Sequence, residues 1–263
     1  MKPSTTALIQ INLAAFILGT AGPAAKLITW PADLMMLGRA VVCAIALFVF
    51  MAFQRKHIPS TLTLKSGLLL LAQGLLLGVQ WVIYAVQISS VAPVIISLYT
   101  YPLITILLEA VFLGESVDYW DALSAVLIVI AFFLIAPELS LNNATTKAIV
   151  LTLFSALCIS IRNILSQQSL QEMSGVFVMG IQAVVISLML LPMAFFKTAP
   201  MTPGNLIGIF LFGTLLTAVA HTLFVSSLAH LKASTVGLIS SVEPLHAIGF
   251  AALILLEFPP YPP

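Results

Sequence analysis

Long apolar runs separated by short polar connections make up almost the whole chain. A helix that crosses the hydrocarbon of a bilayer needs about 20 mostly apolar residues. The connections hold turn-forming residues such as Pro59-Ser60 and Asn142-Asn143, and none is long enough to be a soluble domain. The pattern therefore predicts nine transmembrane helices, over Ala7–Lys26, Leu34–Phe53, Ser66–Val86, Ala92–Leu113, Asp118–Ala136, Lys147–Leu165, Gly175–Phe196, Asn205–Leu228 and Ser234–Leu256.

The composition excludes the other broad classes of protein. Of the 263 residues, 61% are hydrophobic and 7% are charged, whereas an average soluble domain is about a quarter charged. So few charges cannot solvate a globular or disordered chain, and they provide no basic patch for nucleic acid. Cys43 and Cys158 lie in apolar runs without neighbours at metal-ligand spacing, so we expect small buried hydrophobes and no metal or cofactor. A multi-pass membrane protein remains.

The Lys and Arg residues indicate the orientation in the membrane. With the N-terminus in the cytoplasm, six of the ten Lys and Arg residues lie at inner ends of the helices, among them the Arg55-Lys56 cluster, and four lie at outer ends. Cytoplasmic connections carry the excess of basic residues. We therefore expect an inner (plasma) membrane protein with a cytoplasmic N-terminus.

The two halves of the chain repeat each other. A shift of 142 residues places Pro244 on Pro102, Ala252 on Ala110 and Glu257 on Glu115. We expect a first repeat over residues 1–138, with helices 1–5, and a second over residues 145–263. A five-helix unit crosses the membrane an odd number of times, so its copy enters from the opposite side, and inverted repeats place the solute site at the midplane between them.

The second repeat ends before its fifth helix. The last six residues are Phe258-Pro259-Pro260-Tyr261-Pro262-Pro263, and so many prolines cannot continue a helix. We expect a truncated chain that lacks a tenth helix. A natural nine-helix protein, or a divergent end, is the alternative.

Several segments resemble the EamA-type transporters of the drug/metabolite transporter superfamily. They are Phe16–Thr20 leading to Ala24–Lys26, Leu37–Ala40, Leu98–Glu115 with its proline-to-LGE ending, and the glutamate-proline motif Ser241–Leu245. The chain departs from the pattern at Leu256, where glycine is expected, and at the missing tenth helix. The resemblance implies a ten-helix inner-membrane carrier that often exports amino acids, metabolites or drugs, coupled to protons or working by exchange.

Ionisable residues deep in a membrane are functional candidates because they are costly to bury. Glu243 lies about ten residues into the ninth predicted helix, with His246 one turn further on the same face and Pro244 between them. We interpret Glu243 and His246 as a proton-coupling pair, and Pro102 and Pro244 as paired hinges. A protonated glutamic acid that only fixes helix packing is the alternative.

Other polar residues predict the walls of a substrate site. Gln80 and Tyr84 share one helical stripe beside Trp81, and Tyr99 comes from the next helix. Aromatic bodies with polar tips suit an amphipathic organic ligand. We add Arg162 and His221 from the second repeat. Ordinary helix packing is the alternative, and Arg39, Arg162 and Glu109 lie close enough to helix ends to snorkel into water.

We therefore predict an all-α secondary transporter that works by alternating access. No nucleophile motif, zinc motif or nucleotide fingerprint is present in the sequence, so we expect no enzyme. The expected partners are a small-molecule solute and the lipid bilayer, with no nucleic acid; a homodimer is left open. The rival interpretations are a membrane-embedded enzyme acting on a lipid-linked substrate, and a non-transporting interaction subunit or remnant.

Overall fold

The computed structural model of the protein describes residues 3–54, 59, 62–87, 97–135 and 144–255. Every regular element in these residues is a helix. In the first repeat the helices are α1 Pro3–Gly19, α2 Ala21–Lys26, α3 Ala32–Gln54, α4 Leu64–Gln87, α5 Tyr101–Leu113 and α6 Tyr119–Ile135.

The second repeat follows the same plan. Its helices are α7 Ala144–Ser169, α8 Gly175–Leu190, α9 Met193–Phe196, α10 Pro203–Leu211, α11 Ala220–Ser227, α12 Ala233–Ser240 and α13 Glu243–Leu255. A π-helical segment, Phe212–Val219, joins α10 to α11. Residues 256–263, which contain Glu257 and the proline-rich end, lie outside the described residues.

Seven spans within the described residues are long and apolar enough to cross a membrane. They are Ser4–Lys26, Ala32–Gln54, Leu64–Ile83, Thr146–Ser169, Gly175–Phe196, Pro203–Ser227 and Ala233–Leu255. Two shorter apolar helices, Tyr101–Leu113 and Tyr119–Ile130, match the predicted fourth and fifth spans. Bulky apolar side chains such as Phe53, Leu64, Val111 and Leu253 point outward, as the surface of a protein in lipid requires.

The fourth and ninth spans are interrupted at equivalent positions. A turn at Tyr99–Thr100 precedes α5, and a turn at Ser241–Val242 precedes α13. Both α5 and α13 have 13 residues, and both carry proline as their second residue. Proline is tolerated there because the N–H of a first-turn residue has no partner within the helix. Pro102 and Pro244 therefore begin helices instead of kinking them.

The packing of the helices also follows the repeat. Helix α4 packs on α7, and the equivalent pair is α11 on α1. Helix α5 packs on α7, as α13 packs on α1, while α3 packs on its own counterpart α8. Each of these contacts has a partner under exchange of the two halves, or is its own partner, which defines a pseudo-twofold axis. The expected fold class, an all-α multi-pass membrane protein with a repeated helical plan, is confirmed.

A candidate solute cavity between the repeats

A cavity of about 250 Å³ lies between the two halves. Six of the residues that we predicted for the substrate and proton sites line it: Gln80, Trp81, Tyr99, Arg162, His221 and Glu243. Pro244 and Tyr101 line it as well, and so do Arg39, Leu77 and Phe224, which sequence reasoning had not assigned to the site. Both repeats therefore contribute to one wall, because the interrupted spans and their partners meet at the pseudo-twofold axis.

Arg39 is held inside the protein by α4 and the π-helical segment. Its guanidinium carbon lies 3.9 Å from the centre of the Trp81 ring and 4.7 Å from that of Phe212. Its Nε donates to Thr217 Oγ1 at 3.0 Å, and its Nη2 lies 3.3 Å from His221 Nε2. The side chain is 5% exposed. The snorkelling interpretation of Arg39 is therefore wrong, because stacking on aromatic faces holds the cation over the cavity.

The π-helix explains how Thr217 reaches Arg39. Thr217 Oγ1 donates to the carbonyl of Phe212, five residues earlier, at 2.9 Å. Gly213 lies against α3, where an added Cβ would be 3.1 Å from the carbonyl oxygen of Arg39. The wider π turn and the missing side chain let α3 approach closely. Such insertions occur frequently at functional sites.

Arg162 is also buried, and its partners are uncharged. Its Nε and Nη2 both donate to Gln182 Oε1, at 3.0 and 2.6 Å, and its Nη1 donates to Asn163 Oδ1 at 3.0 Å. The side chain is 1% exposed, so the snorkelling interpretation is wrong here too. Residues of α7 and α8 hold this guanidinium in place.

A network of amides and hydroxyls supports Gln182. Gln182 Nε2 donates to Gln73 Oε1 at 2.9 Å, and Gln73 Nε2 donates to Ser169 Oγ at 2.7 Å. Ser166 Oγ also donates to Gln73 Oε1, at 2.9 Å. Sequence reasoning missed Gln73 and Gln182, although a lone glutamine inside an apolar helix is itself a signal, since a buried amide needs partners.

Glu243 lies at the first residue of α13 and faces the cavity. Tyr99 OH donates to its Oε2 at 3.4 Å. The neighbouring Tyr101 donates to the carbonyl of Gly237 at 3.3 Å, and its ring lies 6.5 Å from that of Tyr99. The carboxyl and its described partner therefore come from the two equivalent interruptions, one in each repeat.

His246 does not join Glu243 in the cavity wall. Its Nδ1 lies 3.4 Å from the carbonyl oxygen of Ala15, and its ring meets that of Phe16 edge-on at 5.4 Å. The turn at Ser241–Val242 directs this face of α13 onto α1. A Cβ at Gly19 of α1 would collide with His246 and lie 3.2 Å from the Glu243 carbonyl oxygen. Glycine is needed at this close crossing.

Pro102 and Tyr84 are the remaining residues that the sequence predicted for the site. Pro102 packs against Gly237 of α12, since a Cβ added at Gly237 would lie 3.2 Å from the Cβ of Pro102. Pro102 is not among the residues that line the cavity. Tyr84 belongs to α4, but its side chain lies outside the described residues. The substrate-binding role of Tyr84 and the hinge role of Pro102 and Pro244 remain predictions.

Glu109 has a structural partner at the end of the interrupted span. Its Oε1 accepts from the backbone N–H groups of Ala233 and Ser234, at 2.9 and 3.3 Å. Glu109 is therefore buried as a cap on α12 and does not snorkel. Arg55 and Lys56, the basic cluster on the inner side, lie outside the described residues. Beside this cap, Lys232 Nζ donates a hydrogen bond to Glu115 Oε2 at 2.9 Å. This hydrogen bond raises the pKa of the Lys232 ammonium group.

No arrangement for metal chemistry is present in the described part of the chain. No group of three or more His, Cys, Asp or Glu side chains in those ranges could hold a metal ion. What the cavity offers is recognition: fixed cations, a carboxyl group, aromatic rings and an apolar wall.

A helical membrane protein whose two repeats enclose such a cavity has the architecture of a solute carrier. The sequence model of the EamA-like transporter family matches this chain twice, at residues 5–136 and 146–261. The chain belongs to the EamA-like transporter family, and so it is a multi-pass membrane transporter of small solutes.

Comparison of structures agrees on the fold. One solved structure, described only as "Crystal structure of protein", matches with a TM-score of 0.74 at 12% sequence identity. The match covers 97% of this chain and 90% of the other. Among curated proteins, no sequence matches.

Proposed function

We propose that this protein exports small organic metabolites, such as amino acids or drug-like solutes, across the inner (plasma) membrane by proton-coupled alternating access. Glu243 carries the proposal, because it brings an ionisable carboxyl into a cavity built from both repeats. Ionisable groups at such depth mark substrate and proton pathways. The N-terminus is cytoplasmic in this proposal, as the basic residues of the connections favour.

The helix interruptions support alternating access. Tyr99, in the first of the two turns, lines the cavity, and so does Glu243, which directly follows the second turn at Ser241–Val242. One turn belongs to each repeat. Short non-helical segments can absorb a change in backbone angle. Rotation in these turns, directly before the helices that Pro102 and Pro244 begin, would open one side of the cavity as it closes the other.

Competition for Glu243 would couple the proton to export. When Glu243 is ionised it attracts a cationic group of the solute, and a proton arriving on the carboxyl removes this attraction. The solute and the proton then bind alternately, so that proton entry drives solute exit. This scheme needs one carboxyl in contact with the solute, with Tyr99 as its hydrogen-bond donor.

Glu243→Gln tests the coupling. In proteoliposomes, we expect this variant to lose transport driven by a pH gradient, because its amide cannot release a proton. Counterflow of a cationic solute without a gradient should also fall, because the amide still accepts from Tyr99 but, like the protonated carboxyl, does not attract the cation. Glu172→Gln, on an exposed turn away from the cavity, is the matched control. Full gradient-driven transport by Glu243→Gln would contradict the proposal.

A further inference from the structure

The cavity is closed towards the end where α12 begins. Its lining includes Tyr101, the first residue of α5, and Glu243, the first residue of α13, but no residue of the described helix α12 and none of α5 beyond Tyr101. Gly237 of α12 packs so closely on α5 that an added Cβ would lie 3.0 Å from the Tyr101 ring and 3.2 Å from Pro102 Cβ. Thr105, one turn further along α5, is 0% exposed. The contact between α5 and α12 therefore closes the cavity towards this end.

A buried carboxyl group joins the two repeats at the far end of this contact. Glu109 lies two turns beyond Tyr101 on the same face of α5, and its Oε1 accepts from the backbone N–H groups of Ala233 and Ser234. The first N–H groups of a helix have no partner within it. Lys232, at the N-cap position of α12, has no acceptor in its side chain. The first repeat thus supplies the cap that this helix of the second repeat needs.

An ion pair at the surface lies beside the cap. Lys232 Nζ is 2.9 Å from Glu115 Oε2, and both side chains are about half exposed. This pair also crosses from the second repeat to the first. Separation of α5 from α12 would therefore break the ion pair and both hydrogen bonds of the cap together.

The chain has no equivalent of these groups in the other repeat. The shift of 142 residues places Glu109 on Ala251 and Lys232 on Ser90. Alanine offers no acceptor for a helix cap, and serine carries no charge for an ion pair. A state closed at the α12 end is therefore stabilised by polar groups that these two equivalent positions cannot provide.

We propose that Glu109, together with Lys232 and Glu115, forms a latch that holds the cavity closed at the α12 end and opens once in each transport cycle. Because the equivalent positions lack these groups, the latch shifts the resting equilibrium towards the state that is closed at this end. In the orientation proposed above, this is the cytoplasmic end. The inference rests on the proposed function only in taking alternating access as the motion, and neither the solute nor the coupling ion enters it.

A buried cysteine between the cavity and the latch reports opening. Thr105 lies one turn from both Tyr101 and Glu109 on the buried face of α5, so Thr105→Cys, in a chain with Cys43 and Cys158 replaced by alanine, places a thiol beneath the latch. The full chain in nanodiscs is labelled with a charged methanethiosulfonate reagent, without solute or gradient. When opening and closing are fast, the labelling rate follows the population of the open state.

Glu109→Ala is the first variant to test. We expect it to raise the labelling rate at Thr105→Cys about tenfold, because loss of a helix cap shifts an equilibrium by that order. Glu109→Gln keeps one acceptor oxygen and should raise the rate less. A Glu109→Ala chain that is labelled as slowly as the parent would overturn the proposal.

Two lysines provide a matched pair of variants. Lys232 and Lys197 each form an ion pair between the repeats, Lys232 with Glu115 and Lys197 with Asp33 at the opposite end of the molecule. We expect Lys232→Gln to raise the labelling rate at least about twofold, whereas Lys197→Gln should not raise it. An equal rise in both variants, or no rise in Lys232→Gln, would contradict the latch.

The native Cys43 distinguishes opening of the latch from general unfolding. Cys43 is 0% exposed and belongs to the apolar core around α3 and α8. Unfolding exposes every thiol alike, whereas opening of the latch exposes Thr105→Cys first. With Glu109→Ala in both chains, we expect Thr105→Cys to be labelled at least about tenfold faster than Cys43 in a chain with only Cys158 replaced. Equal rates at the two sites would mean unfolding and would overturn the latch.

The latch and the coupling scheme fail in different ways. If Glu109→Ala raises labelling as expected and Glu243→Gln keeps its gradient-driven transport, the coupling scheme fails and the latch stands. If labelling is unchanged in Glu109→Ala and Glu243→Gln is uncoupled, the latch fails and the coupling scheme stands.

Discussion

At the scale of single residues, specific neighbours hold Arg39 and Arg162 in the cavity wall. Gln182 fixes Arg162, and Thr217 together with the Trp81 ring fixes Arg39. Depth along a predicted helix cannot distinguish such a residue from one that snorkels, because hydropathy records how far a residue is from a helix end and not which neighbour it meets. The sequence therefore predicted Gln80, Trp81, Tyr99, Arg162, His221 and Glu243 as candidates, but it did not predict their partners.

Gln73 gives a test at this scale. Gln73→Leu removes the amide that accepts from Ser166 and Gln182 and donates to Ser169, which leaves buried polar groups unpaired. We expect a loss of about 1–3 kcal/mol in the free energy of unfolding, seen as a lower midpoint in detergent. The exposed Gln171→Leu serves as control, and equal midpoints for the two variants would contradict a structural role of the network.

At the scale of elements, the apolar pattern predicts where helices lie but not where they break. The predicted ninth span, Ser234–Leu256, is α12 and α13 separated by the turn at Ser241–Val242, and its apolar residues continue across the turn. The signal for these breaks was the proline that follows each of them, Pro102 in the fourth span and Pro244 in the ninth. The π-helical segment Phe212–Val219 left no such signal, because a pattern of hydrophobic positions does not report which carbonyl each N–H reaches.

The cap on α12 gives a test of an element. Glu109→Ala removes the acceptor for the N–H groups of Ala233 and Ser234. By analogy with other helix caps, we expect the free energy of unfolding to fall by about 1–2 kcal/mol. Glu109→Gln keeps one acceptor oxygen and should lose less. Thermal unfolding of both variants in detergent checks this order, and a Glu109→Ala protein as stable as the parent would contradict the cap.

At the scale of the whole molecule, the 142-residue repeat predicted from a few identities reappears as exchangeable packing of the two halves. Helix α3 on α8, and the paired contacts of α4 with α7 and α11 with α1, follow from one axis. The position of the site between the halves could be foreseen because symmetry fixes where they meet. The departures from symmetry could not, since Arg39, Glu109 and Glu243 have Ile181, Ala251 and Tyr101 at their equivalent positions.

The central claim is that this cavity is the solute site and that it opens to each side of the membrane in turn. The most direct measurement places a single cysteine in its wall, as Gln80→Cys in a chain with Cys43 and Cys158 replaced by alanine, and labels it with a membrane-impermeant thiol reagent. Inside-out and right-side-out vesicles should both be labelled, and a transported solute should protect the thiol in each. Labelling from one side only, or labelling that a transported solute does not slow, would contradict alternating access at this cavity.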